Sequence, residues 1–247
     1  DWIGPHFFAK WRQVPPGEKS DKYHQVDLRD PYTRAQKCAS CHVGNKAEGK
    51  FVTHEMYAAG HPPLPPFEVV TFAHEVPPHY HAHRENVYLK GLASDEKTRD
   101  AAWARFHYRL PADKDHPDGV CPQARDLALG TVAAFEATMG HLAKDAADTA
   151  ATKELLDFAH FDCYACHHDL EYPSWRQARG YRGVPGRPTM KPWATETLRV
   201  VLKHGESAPG PDRGAVAGLT PAVLTKLKEL NDAFNARPFG DPEAIQK

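Results

Sequence analysis

The sequence predicts a mainly α fold with long irregular connections and little or no sheet. Three observations carry this. Apolar residues recur in alternating steps of four and three at Ala128, Val132, Phe135, Met139, Leu142 and Ala146, the stripe of an amphipathic helix. The 247 residues include 22 prolines, which argue for long ordered loops rather than a repetitive bundle. No segment shows a convincing strand pattern.

Taken in order, residues 1–37 read as irregular and aromatic, with Trp2, Phe7, Phe8, Trp11 and Tyr23. THEMYAAG (53–60) predicts a short helix stopped by Gly60. HPPLPPFEVVTFAHEVPPHYHAH (61–83) is too rich in proline for a helix and predicts extended or polyproline structure. Ser94 is placed as an N-cap, with Asp95 and Glu96 in the first turn, where the helix dipole favours acids. That helix runs to about Leu110 and stops before Pro111. The striped helix starts near Pro122. Gly130 and Gly140 each weaken it, which predicts close approach there by something flat or bulky. A further helix covers about 152–162. Residues 171–191 form a loop rich in Gly, Pro and Arg. A helix near 192–204 ends at Gly205. The last takes Thr220 as N-cap and Pro221 as its first residue, with Val223, Leu227, Leu230 and Phe234 on one face.

Hydrophobic residues make up 41% and charged residues 26%, a soluble globular balance. The net charge of −1 gives no reason to expect a nucleic-acid or membrane-surface partner. No apolar run approaches the roughly 18 residues of a membrane span. The chain begins Asp1-Trp2-Ile3-Gly4 without a basic start or apolar core. The expectation is that a signal was removed or that the chain begins inside a longer protein. Sixteen histidines argue for a task beyond packing, since imidazole is the commonest side chain for holding metals.

Four of the five cysteines fall in two copies of one pattern, CASCH at 38–42 and CYACH at 163–167. A Cys-x-x-Cys pair serves as a redox disulfide, as half a zinc site or as a covalent haem attachment. A redox motif would sit near a βαβ pattern, and a zinc ribbon would pair its motifs about 15–20 residues apart. Neither needs a histidine directly after the second cysteine. Haem attachment does: Cys38 and Cys41, and Cys163 and Cys166, would form thioethers to the vinyl groups. His42 and His167 would then supply the proximal imidazoles. The expectation is two covalent c haems in a periplasmic or otherwise extracytoplasmic protein. Cys121, followed by Pro122, reads as a buried or partly exposed free thiol, with a functional thiolate as the alternative.

CASCHVGN, THEMYAAGHPPLPPFE and FDCYACHHDL resemble the tetrahaem cytochrome c family, whose best-known member takes electrons from hydroxylamine oxidoreductase. The resemblance covers roughly residues 1–180. It implies electron transfer through closely packed, mostly bis-histidine haems, with helices and Pro-rich loops packed around them. In such proteins WIGPH follows another haem motif, absent here, so the chain reads as a fragment or as a reduced dihaem relative. His6 matches a position that can be a distal ligand in the family.

The sixth ligands are read from local rigidity. His61 lies between Gly60, which permits close approach, and Pro62, which stiffens the chain, and the resemblance points to the same residue. His54 and His61 share a helical face to within about 20°, and the break at Gly60 and Pro62 lets them diverge. The preferred arrangement puts His61 on one haem and His54 on the other. The alternative leaves His61 as ligand and gives the second haem His141 or a ligand from a missing segment. His160 reads as packed near the second motif, and His168 as meeting solvent or a propionate. Arg176, Arg179, Arg182 and Arg187 are set to pair with propionates or to form a solvated loop. His79, His81 and His83 alternate along one face, as in a metal site or a polar edge.

The domain reading is a dihaem cytochrome c domain at 1–180 with a C-terminal helical extension, 181–247, packed on it. The function expected is electron transfer with redox partner proteins or further haem segments. The alternatives are a haem redox enzyme, such as a dihaem peroxidase or a small nitrogen-compound oxidoreductase with one open haem, and a haem module of a larger assembly.

Overall fold

A computed structural model describes residues 11, 14–28, 30–74, 122–175, 178, 180, 183–207 and 213–247. Trp2, His6, Phe7, Phe8, His79, His81, His83, the helix expected from Ser94, Cys121, Arg176, Arg179 and Arg182 lie outside the described residues. The described residues are mainly helical, and no strand forms among them. Their extended pairings are two isolated antiparallel bridges, Asn45 with Lys50 and Phe161 with Met190. No helix among them is long and apolar enough to cross a membrane.

The helices are α1 (Pro16–Tyr23), α2 (Pro31–His42), α3 (His54–Ala58), α4 (Val69–His74), α5 (Pro122–Thr152), α6 (Trp193–Ser207), α7 (Arg213–Asn235) and α8 (Pro242–Ile245). The chain divides into two compact units, residues 1–38 with 69–130 and residues 39–68 with 131–247. Residues 181–247 fall in the second unit together with 131–180.

In the first unit, the stretch expected to be irregular contains α1 and the start of α2. Proline breaks a helix interior but suits a first turn, and both helices begin on one. Asp30 caps α2, its carboxylate accepting from the Thr33 backbone N–H at 2.8 Å. The buried Arg34 donates to Asp126 at 2.6 Å and to the Leu28 carbonyl at 2.9 Å. α4 corrects the expectation of extended structure throughout 61–83, because the stretch from Phe67 to Val76 carries no proline. A Cβ at Gly130 would collide with Val69 of α4, so the expected close neighbour there is a helix. Gly140, in the second unit, has open space around it instead.

The core of the second unit gathers Leu142, Ala146, Leu156, Phe161, Ala233, Phe234 and Ile245. Phe161 meets Phe234 edge-on at 5.3 Å between ring centres. Each such side chain contributes roughly 1.5–3 kcal/mol by leaving water. Leu142 and Ala146 of the expected stripe are buried and Met139 packs against the core, whereas Val132 is exposed. On α7, Leu227 and Phe234 are buried as the stripe predicts.

Three helix limits differ from expectation. The helix expected over 152–162 is absent: Lys153 turns left-handed (φ 60°) and ends α5, and two 3₁₀ turns follow at Phe158–His160 and Cys163–Ala165. α6 continues through Gly205 because that position serves packing. A Cβ there would lie 2.9 Å from Val216 Cγ1 of α7. α7 begins at Arg213, with Pro221 inside it, and Thr220 is a buried interior residue donating to the Val216 carbonyl at 2.9 Å. Packing of the segment before Pro221 against α6 outweighs the loss of one backbone bond at the proline.

Candidate functional site

The first motif occupies the last turns of α2. Residues three and four apart share a helical face, so Cys38, Cys41 and His42 project from one side. Cys41 is exposed, Cys38 half-buried, and neither is in a disulfide. His42 lies flat on the buried Phe67, with ring centres 5.6 Å apart and planes 7° apart.

The second motif turns through the 3₁₀ segment Cys163–Ala165. Asp162 caps it, accepting from the Tyr164 backbone N–H at 3.1 Å. The His167 N–H reaches back to the Cys163 carbonyl at 2.8 Å, which brings the histidine round beside the cysteines. Cys163, Cys166 and His167 are all exposed, and neither cysteine is in a disulfide. Lys191 stands nearby with its ammonium 5.7 Å from the Tyr57 ring centre. Burial lowers its pKa, against the opposing pull of Cys163, Asp157 and Asp162.

His54 opens α3, whose N-cap Thr53 accepts from the Met56 N–H at 3.2 Å. The His54 backbone N–H donates to Asp157 Oδ1 at 3.0 Å, and the same oxygen accepts from the Ala159 N–H at 2.7 Å. One carboxylate therefore ties the start of α3 to the turn leading to the second motif. The His54 ring stands edge-on to Phe158 at 5.5 Å and lies tilted beside His167, with ring centres 6.2 Å apart and planes 37° apart. Exposed Leu155, Tyr164, Leu170 and Tyr172 belong to the same stretch of chain as this motif.

His61 is exposed beside Tyr57, with ring centres 6.1 Å apart. Its Nδ1 lies 2.7 Å from the Pro62 carbonyl, the distance of an Nδ1–H donor, which leaves Nε2 to act as an acceptor or ligand. His141 packs against Phe51 and His160, with ring centres 6.2 and 4.9 Å away. Burial, with His160 adding to it, brings its pKa down to about 4, so the ring is neutral at pH 7. His160 is more than a packed neighbour: its Nε2 lies 2.5 Å from Asp145 Oδ2. Lys46 pairs with Asp145 Oδ1 and, at 3.1 Å, with Asp148. Burial alone would raise the Asp145 carboxyl, but the hydrogen bonds from His160 and Lys46 outweigh it and hold it well below the ordinary carboxylate range. Arg187 donates to the Asn235 carbonyl at the end of α7. His168 Nδ1 lies 2.9 Å from the Asp169 carbonyl.

No protein-family profile, curated protein or solved structure matches this chain. Function is therefore read from these residues. Sequence reasoning missed Asp157, Asp145 and Lys46. Asp157 had a signal, since an aspartate two residues before a turn amide is a capping pattern. Its bond to His54 had none, because the two meet only in the fold.

Proposed function

We propose that the chain is a dihaem c-type cytochrome that transfers electrons in an extracytoplasmic compartment. Cys38 and Cys41 would hold one haem through thioethers and Cys163 and Cys166 the other, with His42 and His167 as proximal ligands. The haems would supply one-electron chemistry at potentials set by their axial ligands and surroundings. The observation that supports this best is the spacing of the neighbouring pair His54 and His167. Metal–imidazole bonds are about 2.0–2.1 Å, and a ring centre lies roughly 1 Å beyond its bonded nitrogen. Two imidazoles on opposite sides of one metal are therefore roughly 6 Å apart between centres, and these two rings are 6.2 Å apart. The exposed apolar side chains around the second motif fit a flat macrocycle.

In this reading Asp157 fixes His54 at the second site. His61, whose Nδ1 faces the Pro62 carbonyl, is the candidate sixth ligand for the other haem. Two nitrogen ligands per iron favour a carrier over an open, substrate-binding site. The resemblance to the tetrahaem cytochrome c family belongs to the same proposal, with redox proteins or further haem segments as partners.

The test is the spin state of purified protein and of His54→Ala, by optical and EPR spectroscopy. Wild type is expected to hold two low-spin haems. The variant is expected to turn one high-spin while both stay attached. An unchanged low-spin spectrum removes His54 from ligation, and a colourless protein holding zinc on its cysteines overturns the haem reading.

A further inference from the structure

His141, Asp145 and His160 are left unused by the haem reading. Among the described residues they form a group whose ligand atoms all lie within 4.8 Å of one another. We propose that they form a separate binding site for a divalent transition-metal ion of the zinc class.

The donor set is two imidazoles and one carboxylate, the combination that holds zinc or iron(II) with positions left for water. His141 and Asp145 sit one turn apart on α5, so a rigid helix sets their spacing. His160 comes from the 3₁₀ turn that Asp157 caps, and its neighbour Phe161 is anchored in the core. Its backbone carbonyl also accepts from Lys191 N–H at 3.0 Å. Tetrahedral bonds of about 2.0–2.1 Å separate ligand atoms by roughly 3.4 Å.

Further features fit an ion. Asp145 and His160 are buried. His141 Nδ1 is shielded from solvent with no hydrogen-bond partner, a donor atom without a present use. Gly44 brings backbone against the His141 ring, since a Cβ there would lie 3.3 Å from its Cδ2, and so limits the ring's rotation. Lys46 takes Asp145 Oδ1 and leaves Oδ2 toward His160, and Asp148 gives the ammonium a second acceptor. A cleft of about 420 Å³ opens onto His141 and Asp145, giving a route for the ion and room for a bound water.

The inference does not depend on the haem reading, and the test separates the two. Purified full-length protein, its accessible thiols blocked by alkylation, is titrated with zinc chloride by calorimetry. Bound metal is counted by elemental analysis after free zinc is removed. About one zinc per chain is expected, with affinity falling tenfold or more in His141→Ala and in His141→Gln. Glutamine fills the space of the imidazole, so it decides the matter if the alanine variant fails to fold. No retained zinc, or equal binding by the folded His141 variants, overturns the proposal. Zinc that disappears on alkylation also overturns it, and points to the cysteine pairs instead.

Discussion

Cys38–His42 closes an α-helix of 12 residues, whereas Cys163–His167 turns through a 3₁₀ segment of 3 residues on exposed chain. The first histidine is backed by a buried aromatic ring. The second lies tilted beside another histidine brought from elsewhere in the sequence. The same pattern of residues therefore tolerates two backbones. What the two share is that the second cysteine and the histidine come round onto the side of the first, by helical spacing in one and by two backbone bonds to the Cys163 carbonyl in the other. The chemistry of the pattern is local, while its support is supplied by whatever surrounds it.

The largest effect that sharpens this contrast is removal of one motif's thiols. On the proposed dihaem reading, replacing both Cys163 and Cys166 with alanine is expected to cut the covalent haem count from two to one, measured by pyridine haemochrome and intact mass. Loss of both haems would show that the motifs are not independent. Next comes the support behind each site. Phe67→Ala empties a buried position against His42 and is expected to cost about 3–5 kcal/mol in denaturant unfolding. Phe158→Ala, beside His54 but partly exposed, is expected to cost about 1–2 kcal/mol. Equal costs would erase the difference in burial between the two sites.

Acid should act on the stretch leading to the second motif. The His141 pKa is about 4 in the fold against an ordinary 6.5, so the unfolded chain takes up the proton first. The stability linked to this ring is complete above about pH 6.5 and falls as pH drops toward 4. With a chelator present, His141→Gln is expected to flatten that part of the melting-temperature profile. An unchanged slope assigns the acid sensitivity to other groups. The smallest effect is at the cap of α3: Thr53→Ala is expected to cost about 1 kcal/mol. On the proposed dihaem reading it should also loosen His54, read as broadened EPR features of one haem and not the other.

Much of the helix content could be read in advance because its signals are local. The apolar stripe and Pro122 place α5, and Thr53 and Gly60 bracket α3. The errors share a cause. Residues 1–37 read as irregular, Gly205 as a stop and Pro221 as a first helical residue, and in the fold each meets a different demand. Pro16 and Pro31 open helices, Gly205 admits Val216, and Pro221 is carried inside a helix whose earlier turns pack on α6. Propensity measures what the backbone prefers alone, and burial of a neighbouring face exceeds that preference.

For the candidate sites, the residues themselves determine which groups can attach and ligate: two thiols and an imidazole at fixed spacing, twice. Sequence also singled out His54 and His61 through their helical spacing and the Gly–Pro break at His61. Only the tertiary structure decided that His54 lies beside His167, that His61 remains exposed, and that His141 joins Asp145 and His160. Those outcomes depend on one carboxylate, Asp157, bonding two segments remote in sequence, and on a helix turn carrying His141 and Asp145 toward a 3₁₀ turn. Contacts of that kind are fixed by long-range packing, and local residue patterns do not encode them.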